Sequence, residues 1–173
     1  MNIILIGFMG SGKSVIGRRL SELLGYCCVD MDELVYAKTD TQDMYEVFAK
    51  GGEILLRETE IAIAKEYAGQ ENLIISTGGG VVLNKIILDY FRAAGAVVIF
   101  LDPPFALIAE RLQKEDTRPL FQDETSIKKL YDFRHPLYTS YADHIIDLDC
   151  LSIEEIALQI KALIPTNGPL HGH

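Results

Sequence analysis

The stretch GFMGSGKS, Gly7 to Ser14, follows the short apolar run NIILI and precedes the helical-looking VIGRRLSELL. A glycine, four intervening residues and then Gly-Lys-Ser, set between a strand and a helix, form a phosphate cradle. This feature constrains the fold more than any other in the chain. Such a loop works only where a strand passes the chain to a helix whose first N–H groups face an anion. Gly7, Gly10 and Gly12 let the backbone curl so that its N–H groups turn inward. Lys13 then reaches β and γ phosphates, and the Ser14 hydroxyl is placed to ligate Mg²⁺. A glycine turn that merely opened a helix would require neither Lys13 nor Ser14. The expected nucleotide-binding stretch is Gly10, Ser11, Gly12, Lys13, Ser14 and Val15.

Residues 2–6 are continuously apolar and rich in β-branched side chains, which suits a strand buried on both faces of a parallel sheet. Similar runs recur at 26–29 (YCCV), 72–76 (NLIIS), 96–101 (AVVIFL) and 144–148 (HIIDL), so five strands are expected. Between them apolar residues fall at helical spacing. One stripe is Val15, Ile16, Leu20, Leu23 and Leu24; another is Ile86, Ile87, Tyr90 and Phe91; a third is Ile153, Ile156, Ile160, Leu163 and Ile164. Strands alternating with helices predict a doubly wound α/β fold with a parallel sheet. Two regions interrupt the alternation. Residues 31–70 carry three helices in succession, broken at KGGE (Lys50 to Glu53), where Gly51 or Gly52 takes positive φ. Residues 113–124, QKEDTRPLFQDE, form a polar, exposed, mobile loop.

With 173 residues, the chain suits one domain, expected over 1–164, followed by a flexible tail at 165–173 that carries His171 and His173. A net charge of −9 offers no drive for binding nucleic acid or an anionic membrane. An anionic substrate must therefore be met by local arginines. The 3 cysteines, Cys27, Cys28 and Cys150, make neither a disulfide framework nor a metal set, and are expected as buried, reduced thiols. The N-terminal run is too short for a signal sequence or membrane span, so a cytoplasmic location is expected.

A GTP switch needs a guanine-reading Asn-Lys-x-Asp, whereas Asn84-Lys85 is followed by Ile86 and Ile87. The third strand also lacks an acidic end on the Mg²⁺ side. Asp30 and Asp32, in VDMDE, can supply it: two apart in extended backbone, they project to one face at a strand's carboxyl end, although capping of the following helix explains them equally. Arg57 and Glu60 are three apart on a helix, which by itself describes an ordinary surface ion pair. Gly78 to Gly80 form either a flexible turn or a wall allowing close backbone approach to a ligand.

Taken in order, GFMGSGKS, DMD, the Gly-Glu preceding Arg57 and Glu60, TGGG, Arg111 in AERL, RPL at Arg118 to Leu120, and RHPLY at Arg134 to Tyr138 resemble the shikimate kinase family over roughly residues 2–163. The resemblance implies a P-loop, nucleoside-monophosphate-kinase-like fold: a five-stranded parallel sheet flanked by helices, with an acceptor-binding region at about 31–60 and a lid at about 113–124. It implies ATP and Mg²⁺ as cofactors and phosphorylation of the shikimate 3-hydroxyl, by a monomer. Asp32 becomes the candidate base, with Lys13 and Arg118 as the other catalytic residues. Asp30 joins Ser14 on the metal side. Arg57 and Arg134 hold the substrate carboxylate, Glu60 fixes Arg57, and Gly79 and Gly80 close on the ring. Arg118 swings onto the phosphates and Arg111 packs against adenine. Leu56, where the family often has Phe, and Val15, where a second hydroxyl often follows Ser14, depart from the pattern without removing a charge. No adenine-reading segment is legible around 149–152. The rival readings are a gluconokinase-like enzyme, whose acceptor is also a hydroxylated carboxylate, and a silent nucleotide binder, which would be expected to lose Lys13, Asp32 or Arg118.

Overall fold

Ile3–Ile6 forms the central strand, β1, of a computed structural model that describes residues 1–114 and 124–164. Successive side chains of a strand point to opposite faces, so Ile3 and Leu5 enter one core layer while Ile4 and Ile6 enter the other. On one side β1 pairs in parallel with β3 (Leu73–Ser76), and β2 (Cys27–Asp30) lies outside β3. On the other it pairs with β4 (Val97–Asp102), outside which lies β5 (His144–Asp147). The five expected strands are present, in the order β2-β3-β1-β4-β5. The order reverses at β1, and in open α/β sheets ligands bind in the crevice at that point, outside the carboxyl ends. Registers of Asp30 with Ser76, Leu5 with Ser76 and Ile6 with Phe100 bring those ends into line.

Helices α1 (Lys13–Leu24) and α7 (Ile153–Leu163) cover one face, where Ile16, Leu20, Ile156 and Ile160 pack on Ile3, Leu5, Ile74 and Ile99. Burying each such side chain contributes about 1.5–3 kcal/mol. The other face is covered by α2 (Met31–Thr39), α3 (Met44–Tyr67), α4 (Lys85–Ala93), α5 (Phe105–Lys114) and α6 (Glu124–Tyr141). Val15, Ile86, Ile153 and Leu163, expected on the buried stripes, are exposed. The stripes are narrower than the apolar spacing suggests, because a helix lying on a flat sheet buries mainly its central i, i+4 rows. A capping box between Ser152 and Glu155 starts α7.

The expected break in 31–70 falls at Gly52, whose φ of 66° and ψ of −160° kink α3 and reproduce three helical segments with α2. Of the expected lid, Gln113 and Lys114 close α5 and Glu124 opens α6; residues 115–123, with Arg118, lie outside the described residues, as does the expected tail 165–173 with His171 and His173. The expectation of buried thiols fails. Cys27 and Cys150 are exposed and Cys28 is half-buried, because β2 is an edge strand and Cys150 sits on the turn before α7. Burial still pushes the Cys28 thiol pKa up. Among the described residues no helix is long and apolar enough to cross a membrane.

Candidate active site

The loop between β1 and α1 is closed on itself by Ser11 N–H donating to the Phe8 carbonyl at 3.1 Å. Gly7, at φ 154°, admits no side chain: a Cβ there would stand 2.7 Å from the Leu101 carbonyl oxygen and 2.9 Å from Ser11 Oγ. Inside the loop the buried Lys13 ammonium donates to the Gly7 and Phe8 carbonyls at 2.9 and 3.0 Å, and to Ser11 Oγ at 3.3 Å. Helix α1 has neither a side-chain cap nor an acidic residue in its first turn. Its leading N–H groups and the positive end of its dipole are therefore directed at the loop, the arrangement that binds a phosphate.

Ser14 Oγ donates to Asp30 Oδ2 at 2.5 Å and lies 3.3 Å from Ser76 Oγ. The other Asp30 oxygen accepts the Asp32 N–H at 3.0 Å and caps α2. Asp30 thus caps α2 with one oxygen and faces Ser14 with the other. The picture of two aspartates in extended backbone is corrected: Asp30 ends β2, but Asp32 already lies in the first turn of α2, so they share a strand end rather than a strand face. A hydroxyl and a carboxylate suit a hard cation such as Mg²⁺, which commonly takes one or two protein ligands and completes its shell with phosphate and water. Among the described residues no group of three His, Cys, Asp or Glu side chains offers an all-protein cage.

These groups open onto a cavity of about 1060 Å³, lined by Gly10 to Ile16, Asp30, Asp32, Pro104, Leu107, Arg111 and the turn Asp149–Leu151. Arg111 donates Nη1 to the Gly10 carbonyl at 2.7 Å, which lays its guanidinium along the loop. Val15, though exposed, is part of this wall. Pro104 is not singled out by the sequence, and residues 148–151 overlap the stretch 149–152 in which no adenine-reading motif is legible. The same strand-end rule that singled out the loop after β1 applies to β4 and β5 and would have found both.

A second cavity, of about 420 Å³, is lined by Met9, Asp32, Arg57, Glu60, Gly78, Gly79, Gly80 and Arg134, with Tyr36, Tyr45 and Phe48 of α2 and α3. Arg57 donates Nη1 to Glu60 at 2.7 Å and Nη2 to Glu53 at 3.2 Å. This is no surface pair, because Glu60 is only 2% exposed. Burial holds the Glu60 carboxyl above its usual range, against the opposing pull of Arg57 and with a further push from Asp32. The Arg57 guanidinium lies against the glycine wall, 2.6 Å from where a Gly80 Cβ would stand. Arg134 reaches the same wall from α6, with Nη1 3.4 Å from the Gly79 carbonyl oxygen. The two cavities share Met9, Asp32 and Gly79. A phosphate cradle and a pocket carrying two guanidinium groups therefore meet at one carboxylate.

The family model for shikimate kinase matches residues 9–165. The chain belongs to the shikimate kinase family. The shikimate kinase of Acinetobacter baylyi is 36% identical over 170 residues, covering 96% of this chain and 93% of that protein. The structure of shikimate kinase from Acinetobacter baumannii in complex with shikimate superposes with a TM-score of 0.85 at 31% identity, over 94% of this chain and 91% of that one. A gluconokinase structure from Sinorhizobium meliloti, at 16% identity and a TM-score of 0.57 over 93% of this chain and 89% of that one, shares the fold alone. In this family member, the residues singled out from the sequence gather around the two cavities, apart from Arg118, which lies outside the described residues.

Proposed function

We propose that this chain transfers the γ-phosphoryl group of ATP to the 3-hydroxyl of shikimate, giving shikimate 3-phosphate and ADP, a step of the chorismate and aromatic amino acid pathway. The observation that carries the reading is the meeting of the two cavities at Asp32 and Gly79. ATP occupies the larger cavity, its phosphates on the N–H groups of Gly10 to Val15, with Arg111 beside the adenine. Lys13 leaves the loop carbonyls for the β and γ phosphates. Ser14 and Asp30 would hold Mg²⁺, which would neutralise charge on the phosphates. Shikimate enters the smaller cavity with its carboxylate on Arg57 and Arg134, where planar guanidinium groups offer paired donors. Gly79 and Gly80 pack on its ring. Asp32 takes the proton of the 3-hydroxyl as the new O–P bond forms and the β–γ bridge breaks. Arg118 completes the charge stabilisation in the reading drawn from the family resemblance. The unbridged Cys27, Cys28 and Cys150 support a reducing, cytoplasmic setting, and the enzyme acts as a monomer.

The test is Mg²⁺-dependent ADP release from ATP with shikimate, with gluconate and with no acceptor. Stimulation by shikimate alone is expected. Stimulation by gluconate alone would transfer the reading to the other acceptor, and ATP binding without turnover would mark a silent binder.

Glu60 makes the shikimate KM sensitive to pH. A carboxyl whose pKa is raised by folding contributes stability that is fully present below its unfolded value, 4.5, and is lost as pH rises through the folded one. Between those values, acidification stabilises the fold through Glu60 but neutralises the charge that orients Arg57. The KM for shikimate should therefore rise as pH falls through this window. Glu60→Gln should raise KM about three- to tenfold at pH 7, the loss of one charge-assisted hydrogen bond, and should flatten that dependence. The check is KM against pH in both proteins; identical profiles would reject the role.

A further inference from the structure

A buried phenol needs a partner for its hydroxyl, and Tyr138, only 1% exposed, donates to the Gly79 carbonyl. Its ring is held independently, stacked on Phe100 with centroids 5.1 Å and planes 23° apart. Arg134 precedes Tyr138 by four residues on α6 and so shares its helix face; its Nη1 approaches the same Gly79 oxygen at 3.4 Å. The flanking carbonyls are used inside the turn, Gly78 accepting from Val81 N–H at 3.1 Å and Gly80 from Leu83 N–H at 3.0 Å. The middle carbonyl of the glycine triplet is thus the one that α6 grips, with two side chains.

We propose that Tyr138 is a positioning residue for acceptor recognition: its hydroxyl fixes the Gly79–Gly80 peptide and, through the shared carbonyl, the Arg134 guanidinium. The inference rests on the proposed function. A trans peptide is planar, so holding the Gly79 oxygen against α6 turns the Gly80 N–H to the opposite side. Gly80 itself lines the acceptor cavity, against the Arg57 guanidinium. Arg134 Nε is buried with no hydrogen-bond partner among the described residues, so the guanidinium is set against the glycine wall by its Nη1 contact and by its direct interaction with the Tyr138 hydroxyl. The two arginine anchors, one on α3 and one on α6, therefore both lie against the glycine wall, Arg57 held by Glu60 and Glu53 and Arg134 by the Gly79 carbonyl that Tyr138 immobilises. Burial pushes the Tyr138 pKa well above the usual tyrosine range, so the hydroxyl keeps its proton and remains a donor near neutral pH.

Tyr138→Phe keeps the stacked ring and deletes the hydroxyl. Its KM for shikimate is expected to rise about tenfold, with KM for ATP within about twofold and kcat within about threefold of the unsubstituted enzyme. Phe100→Leu loosens the ring packing but retains the hydroxyl; it should lower Tm and leave the shikimate KM within about threefold. The proposal is overturned if Tyr138→Phe leaves the shikimate KM unchanged, raises both KM values alike or fails to fold, and equally if Phe100→Leu reproduces the shikimate effect. Absence of turnover in the unsubstituted enzyme would overturn the proposed function and this inference together. Turnover there without the KM split overturns this inference alone.

Discussion

Asp32→Asn is expected to lower kcat for shikimate phosphorylation by about 10²–10⁴ while leaving ATP affinity within about threefold. Asp32 stands where the two cavities meet, and its Oδ1 comes within 3.0 Å of the Gly78 Cβ position, against the glycine wall. The amide has the same shape but cannot take the proton of the attacking hydroxyl. The substitution also spares the fold, because Asp30 caps α2 through the backbone N–H of residue 32 and not through its side chain. In the proposed function the ATP phosphates lie on the loop, with Ser14 and Asp30 on the metal side. Steady-state kcat, combined with calorimetric binding of a non-hydrolysable ATP analogue, separates the two effects. Turnover close to that of the unsubstituted enzyme would remove Asp32 from the role of base.

Lys13→Met should lower kcat/KM for ATP by about 10³, through loss of a preorganised charge at the transferring phosphoryl group. The ammonium is already stationed inside the loop, held by the Gly7 and Phe8 carbonyls and Ser11 Oγ. Moving it onto phosphate exchanges backbone acceptors for charged ones and needs little rearrangement. Methionine fills the volume but leaves those acceptors without the cation, so a modest fall in Tm should accompany the kinetic loss. Lys13→Arg should not restore activity, since a planar fork does not fit a buried site that accepts a compact ammonium. The measurements are kcat/KM for ATP and Tm for both variants. A loss smaller than about tenfold in Lys13→Met would contradict the assignment, because a single transition-state donor is ordinarily worth more.

Much of this site was legible because its signals are local. The run Ile3–Ile6 specified a strand buried on both faces, and GFMGSGKS specified the turn and the helix start that follow it. KGGE marked the kink, since positive φ at Gly52 is a property of one residue and its backbone. The pairing of Arg57 with Glu60 could also be read from an i, i+3 spacing. Its burial could not. That spacing places two side chains on one helix face without saying which way the face turns, and the orientation of α3 depends on packing against Ile75, Val81 and the rest of that core layer. The cysteines failed for the same reason: their hydrophobicity suits a core, but β2 is an edge strand. The cavity wall after β5 carries no motif; only the strand-end rule points to it, and its approach to the loop after β1 was fixed when β5 took its place beside β4.

The sequence by itself determined the strand–loop–helix of the phosphate-loop motif, the alternation that makes a parallel sheet, and the need for local arginines if so acidic a chain is to meet an anion. Each follows from backbone preference, side-chain period or charge over a few neighbouring residues. The tertiary structure alone decided that Asp30 faces Ser14, that Glu60 is buried beneath Arg57, and that Tyr138 and Arg134 close on one carbonyl 59 and 55 residues away in the chain. Those relations join elements remote in sequence. Their distances are set by the order in which the strands pair and by which helix faces the sheet buries.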